Sequence, residues 1–268
     1  MSKDLKIEFV KISKKFGGVQ ALENVTFSIN MNEIHSIVGE NGAGKSTLLR
    51  ILGGDIRPTS GDIYLRGRKV YFNEPKDARV HGISVIYQEL KLCPNMNALQ
   101  NAFLGNEKKT LYGLNIVEMQ KELLSILESL GVKNINIFAP VKLLSLSVQQ
   151  ILEISRALLH GAEIIVMDEP TSALTLEEAS NLLRIIKELK IIGKTIVYVS
   201  HRLEEVMNIS DNITVLRDGK YIATVKKNEV TKRDLVRLMV GGVRDYEKKR
   251  ISGKVGNKIL EVRNLTKV

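Results

Sequence analysis

Residues Gly39-Glu-Asn-Gly-Ala-Gly-Lys-Ser-Thr47 satisfy the spacing G-x-x-x-x-G-K-[ST], and they stand between an apolar run, Ile34 to Val38, and a helical stretch reaching about Leu52. No other feature restricts the fold as much. Gly42 and Gly44 let the backbone curl so that successive N–H groups point inward at phosphate oxygens, and the following helix adds the positive end of its dipole. Lys45 would reach β- and γ-phosphates, and the Ser46 hydroxyl would hold Mg²⁺. The candidate nucleotide contacts are therefore Gly39, Glu40, Asn41, Gly42, Ala43, Gly44, Lys45, Ser46 and Thr47. The competing reading is a glycine-rich turn with an incidental lysine.

A nucleotide held this way needs an acidic partner for its metal at the end of a neighbouring strand, and Ile164-Ile-Val-Met-Asp-Glu169 supplies one. Asp168 is the candidate Mg²⁺ residue, acting through water. Glu169 is the candidate general base, since an ionised carboxylate accepts a hydrogen bond from the attacking water. Helix capping before Pro170 is the other use of such a pair. Gln88 ends the run Ile83 to Tyr87 and His201 follows Thr195 to Val199, so both are expected at the strand-end edge that carries Asp168. The amide oxygen of Gln88 can bind Mg²⁺ or water, and the His201 imidazole can donate to a γ-phosphate while orienting the base. A histidine after a strand is also an ordinary surface or capping residue. His35, His81 and His160 have no such company and read as structural.

The strand, helix, strand alternation from Ile164 to Val199 predicts a mainly parallel sheet, hence an α/β fold with a P-loop NTPase core. The runs Ile7 to Ile12 and Val25 to Ile29, with short strands near Ile63 to Leu65 and Val70 to Phe72, predict a small antiparallel β subdomain. From about residue 89 to 160 the pattern turns helical, with three-to-four spacing over Val117 to Leu130, and reads as an inserted helical subdomain. Residues 1–243 thus form one expected domain. Residues 244–258 read as a polar, Gly-containing linker. Leu260-Glu-Val-Arg-Asn-Leu-Thr-Lys267 then repeats the pattern of Ile7-Glu-Phe-Val-Lys-Ile-Ser-Lys14, so residues 259–268 read as the start of a second copy.

Composition acts as a filter. A chain of 268 residues, 44% hydrophobic and 26% charged, is neither disordered nor fibrous. A single cysteine, Cys93, excludes an intramolecular disulfide. No cationic start precedes an apolar stretch and no window nears 18 consecutive apolar residues, so the expectation is a cytoplasmic protein that does not span a bilayer. The formal charge of +10 suits nucleic acid, anionic lipid or a nucleoside triphosphate. No aromatic residues interleave with a basic stripe, and a nucleic-acid partner is not expected.

These motifs, with Leu144-Ser-Leu-Ser-Val-Gln-Gln150 between Gln88 and Asp168, resemble the ATP-binding cassette ATPases of ABC transporters in order and approximate spacing. The resemblance implies ATP and Mg²⁺ as ligands, ATP hydrolysis as the activity, and nucleotide sandwiched between two cassettes. It also implies that Phe16 stacks on adenine, although an apolar plug in the small sheet is the other reading of that residue. Ser145 would donate to the γ-phosphate of a nucleotide on the opposite cassette. Tyr87-Gln-Glu-Leu90, Pro94 to Gly105, Pro170-Thr-Ser-Ala-Leu-Thr175 and Val215-Leu-Arg-Asp-Gly219 are similar to the sugar-importing branch, in which two cassettes are fused. Ser147 and Ile259 to Thr266 lie nearest the galactose and methyl-galactoside importers. The implied partners are a second cassette of the same polypeptide, a transmembrane permease docking at Glu89 to Gly105, and, indirectly, a solute-binding protein. The implied place is the inner face of the cell membrane. Ser147 in place of the second glycine of Leu-Ser-Gly-Gly-Gln, Val148 in place of its glutamine, and Thr175 in place of an aspartate imply one competent site per pair. Two other functions fit less well: a soluble tandem cassette acting on ribosomes or nucleic acid, and a module that binds ATP without turnover.

Overall fold

The computed structural model of the protein describes residues 6–132 and 135–241. Its first strands, β1 (Lys6–Phe16) and β2 (Val19–Asn30), turn at Gly17 and bury Ile7, Phe9 and Ile12 against Leu22, Val25 and Ile29. Both outrun their apolar cores because antiparallel pairing continues to Phe16 and Val19. β3 (Ile34–Val38) is buried at every residue and leads through the phosphate loop into α1 (Lys45–Leu52). β4 (Ser60–Leu65) and β5 (Arg68–Val70) complete an antiparallel sheet of order β2-β1-β4-β5. α2 (Pro75–Val80), too short to show a helical period, is marked by its N-terminal proline and by Glu74 and Asp77, which cap it reciprocally. β6 (Ile83–Ile86) follows.

The segment expected to be helical contains α3 (Ala98–Phe103), the hairpin of β7 (Lys109–Thr110) and β8 (Gly113–Leu114), α4 (Ile116–Ser129) and α5 (Leu146–Leu159). The hairpin departs from the all-helical expectation, because strands of two residues carry no readable alternation. α4 buries Met119, Leu123 and Leu127, one residue per turn, so its other faces stay wet. α5 packs on α3 and α4 but also on β6, which ties this segment to the main sheet.

The remainder alternates: β9 (Ile164–Asp168), α6 (Leu176–Ile191), β10 (Thr195–Val199), α7 (Leu203–Ile209), β11 (Asn212–Arg217), β12 (Lys220–Lys226) and α8 (Lys232–Val240). These strands join β3 and β6 in a sheet of order β12-β11-β3-β10-β9-β6, parallel throughout except for β12. The α/β expectation, with a mainly parallel core and an antiparallel side sheet, matches this architecture. Ile164 and Val166 join one apolar cluster, with α1 and the β1–β2 hairpin, while Ile165 and Met167 join the other, with α5 and α6. A strand buried on both faces needs such an unbroken apolar run, each residue contributing roughly 1.5–3 kcal/mol.

His35 is fully buried between Glu33 (Nδ1 to Oε1, 2.8 Å) and Thr214 (Nε2 to Oγ1, 2.7 Å). Burial works to raise the Glu33 carboxyl, but His35 and Asn30 hold it below its usual range. No helix among the described residues is long and apolar enough to cross a membrane. The expected linker at 244–258 and second start at 259–268 lie outside the described residues.

Candidate functional site

Parallel pairing sets the site. Ile37 lies opposite Val199, Val199 opposite Asp168, and Ile86 opposite Met167, so β3, β10, β9 and β6 end at one edge of the sheet. Beyond Val38 the chain must turn at once into α1. Gly39 passes so close to the Leu216 carbonyl and the Ala43 methyl that a Cβ would collide with both. Gly44 stands at φ 95°, and a Cβ on it would lie 2.7 Å from the Ala21 carbonyl oxygen. The loop closes on itself through the Ala43 N–H, which donates to the Glu40 carbonyl at 3.1 Å.

Lys45 is 6% exposed, and its ammonium donates to the carbonyls of Gly39 (2.8 Å) and Glu40 (2.9 Å) across the loop. Burial pulls that ammonium below its usual range, and the charges of Glu169 and Asp168 oppose the change. Asp168 ends β9 in a buried position. Burial pushes its carboxyl up and the neighbouring Glu169 adds to the rise, while the Ser46 hydroxyl, donating to it, and Lys45 pull it down.

Glu169 has φ 47°, in the left-handed region, where a non-glycine residue costs roughly 1–2 kcal/mol. Its N–H donates to the Val199 carbonyl at 2.9 Å, and its Oε1 lies 3.0 Å from His201 Nδ1. The carboxylate is largely covered while the imidazole is half open, so the pair faces outward.

A cleft of about 920 Å³ joins these groups, lined by Phe16, Gly39, Glu40, Asn41, Gly42, Gly44, Lys45, Ser46, Thr47, Gln88, Glu169 and His201. Three of the sequence candidates do not line it: Asp168, buried at the end of β9 next to Glu169, Ala43 and Ser145. Ala43 turns its methyl into the apolar cluster beneath the loop, which leaves it only backbone to offer. Ser145 instead caps α5, accepting from the Val148 N–H at 3.4 Å, with the Ser147 hydroxyl 3.1 Å away. Leu146 stands where the signature Leu-Ser-Gly-Gly-Gln has its first glycine, a departure beyond the Ser147 and Val148 changes, and it is 41% exposed. Thr175 and Glu178 cap α6 reciprocally.

Four residues of the cleft, Val19, Gln20, Ala21 and Met239, carry no signal in the motifs. The first three follow from the hairpin, which sets Val19 opposite Phe16; Met239 arrives on α8, far down the chain. A separate cavity of about 1170 Å³ opens beyond His201 between Leu174, Leu203 and Val236 of α8, and holds no phosphate-loop residue.

The ABC transporter family profile matches residues 22–172. The ribose import ATP-binding protein RbsA of Caldanaerobacter subterraneus subsp. tengcongensis is 44% identical over 256 residues, covering 95% of this chain and 51% of that protein. The galactose/methyl galactoside import ATP-binding protein MglA of Clostridium perfringens is 43% identical over 235 residues, covering 88% and 45%. The chain spans about half the length of the curated relatives it matches. Among solved structures, a nucleotide-free ATP-binding cassette from an ABC transporter superposes with a TM-score of 0.75 at 28% identity, over 87% of this chain and 97% of that one. A dimeric post-hydrolysis cassette bound to ADP and Pi gives 0.71 at 29% identity, over 82% and 98%. With the profile covering more than half of the sequence and the fold shared nearly end to end, the chain belongs to the ABC transporter family and has the architecture of its ATP-binding cassettes.

Proposed function

We propose that this chain is the ATP-binding and hydrolysing cassette of an importer that powers uptake of a sugar or related polar solute, working at the inner face of the cell membrane. The observation that carries the reading is the convergence of Lys45, Ser46 and the Glu169–His201 pair on one cleft, with Asp168 buried next to Glu169 at the end of β9. ATP would lie with its phosphates in the loop at 39–47 and its adenine against Phe16. Lys45 would leave the Gly39 and Glu40 carbonyls for the β- and γ-phosphates, and the α1 N-terminus would favour their charge.

The donor set suits Mg²⁺. Among the described residues no three His, Cys, Asp or Glu side chains could hold a metal alone. Ser46 and the exposed Gln88 amide on the cleft would instead offer a hydroxyl and an amide oxygen, with the Asp168 carboxylate behind them acting through water, which leaves room for phosphate and water as Mg²⁺ prefers. Bound there, the ion would draw charge off the phosphates. Glu169 would take a proton from the water whose oxygen bonds to the γ-phosphorus as the bond to the bridging oxygen breaks, giving ADP and phosphate. His201, held to Glu169, would orient that carboxylate.

The sugar reading draws on the ribose and galactose import relatives, and with it come a second cassette of the same polypeptide, a permease seated near Glu89 to Gly105 and a solute-binding protein. The test is Glu169→Gln in the full-length protein assembled with its permease. Phosphate release should fall at least 100-fold while ATP binding is kept; unchanged release removes Glu169 from the reaction.

A further inference from the structure

One carboxylate outside the cleft ties its two catalytic-side loops together. Glu205, in the first turn of α7, is only 11% exposed at its side chain. Its Oε2 accepts from the hydroxyls of Thr171 (2.6 Å), Tyr198 (2.7 Å) and Ser200 (3.4 Å), and its Oε1 accepts from Arg202 Nη1 (3.2 Å). Arg202 continues the link, its Nη2 donating to the Ser172 carbonyl at 3.3 Å and its N–H to Ser200 Oγ at 3.0 Å. Thr171, Tyr198 and Ser200 are each at most 2% exposed, so water cannot replace this acceptor.

The position of these donors gives the network its meaning. Thr171 and Ser172 lie just after Glu169, and Ser200 and Arg202 flank His201. β9 and β10 pair side by side up to Asp168 and Val199, and beyond that point the Glu169 N–H bond to Val199 is the last ladder contact. The loops then separate, and Glu205 bridges them. The 3.0 Å contact between Glu169 and His201 is made from exactly these two loops, one of them starting from a strained φ.

Building on the hydrolysis reading above, we propose that Glu205 is a positioning residue for hydrolysis: by bracing the loop after Glu169 against the loop around His201, it keeps the base and the imidazole paired. It forms no part of the cleft lining, so its loss should slow the chemical step without weakening nucleotide binding. A buried acceptor with four donors is also a unit whose parts act together, so removal of one donor should reproduce part of the effect.

The test uses the full-length protein with its permease. Glu205→Gln keeps the shape of the side chain but turns an NH₂ group toward donors and removes the charge facing Arg202. It should lower kcat at least tenfold, leave the ATP dissociation constant within twofold, and speed amide hydrogen exchange over residues 169–175. Thr171→Val removes a single donor at nearly constant shape, should lower kcat in the same direction by less, and serves as the deciding variant if Glu205→Gln does not fold. Wild-type kcat in both variants overturns the proposal, and so does a parallel loss of ATP affinity, which would make the role one of binding. A wild-type protein that releases no phosphate refutes the hydrolysis reading instead; the brace is then judged by hydrogen exchange, and unchanged exchange in Glu205→Gln overturns it.

Discussion

Glu169 sits at φ 47° with its N–H held by the Val199 carbonyl, and this strain is open to direct measurement. The perturbation is a pair of variants, Glu169→Gly and Glu169→Ala. Both lose the carboxylate and the His201 contact, so those losses cancel when the two are compared. What differs is backbone. The left-handed conformation costs alanine roughly 1–2 kcal/mol that glycine avoids. Against this, glycine loosens the unfolded chain, which costs it about 0.4–1 kcal/mol. Taken at their midpoints these leave the glycine variant more stable by about 0.8 kcal/mol, a Tm about 2–3 °C higher for a domain of this size. At most positions the order is the reverse, so the sign alone is diagnostic. Thermal unfolding of both proteins, followed by far-ultraviolet circular dichroism in one buffer, is the assay. An alanine variant as stable as the glycine variant refutes the claim that the turn into the carboxylate is strained.

Two further outcomes are expected. The folded state favours protonated Asp168, because burial and then Glu169 raise its pKa; its stabilising contribution is present below the ordinary carboxylate value and is lost as pH rises through the raised one. The Tm of Asp168→Asn minus that of wild type should therefore grow as pH rises above about 4, and a flat difference argues against the assigned burial. Phe16 is 44% exposed and its removal should shift Tm little, whereas adenine-nucleotide affinity measured by calorimetry should fall by roughly 1–3 kcal/mol; unchanged affinity in Phe16→Ala would rule out stacking.

Much of the site was legible because its parts sit in short, continuous pieces of sequence. The phosphate loop needs small residues at fixed steps, and Gly39 and Gly44 meet collisions that only glycine escapes. Asp168, Glu169 and His201 could be placed because fully buried strands leave unbroken apolar runs whose ends are plain. Ser145 is the opposite case, since its motif is readable while its position at a helix start, away from the cleft, depends on how α5 packs. Glu205 was invisible, being one of two adjacent acidic residues on a short helix, and it gains importance only from hydroxyls brought to it from β10 and from the loop after β9. The β7–β8 hairpin and α2 escaped for a simpler reason: each is too short to repeat its period often enough to be read.

The strand order has a consequence for synthesis. β3, which delivers the phosphate loop, lies between β10 and β11, and neither neighbour exists until translation has passed Val199 and then Arg217. At roughly 5–20 residues per second, the central strand waits about 8–30 s on the ribosome before its first sheet partner is made. Through that interval five consecutive residues, Ile34 to Val38, have no ladder to join, and the early β1–β2 hairpin is the apolar surface on which they can rest until β10 arrives.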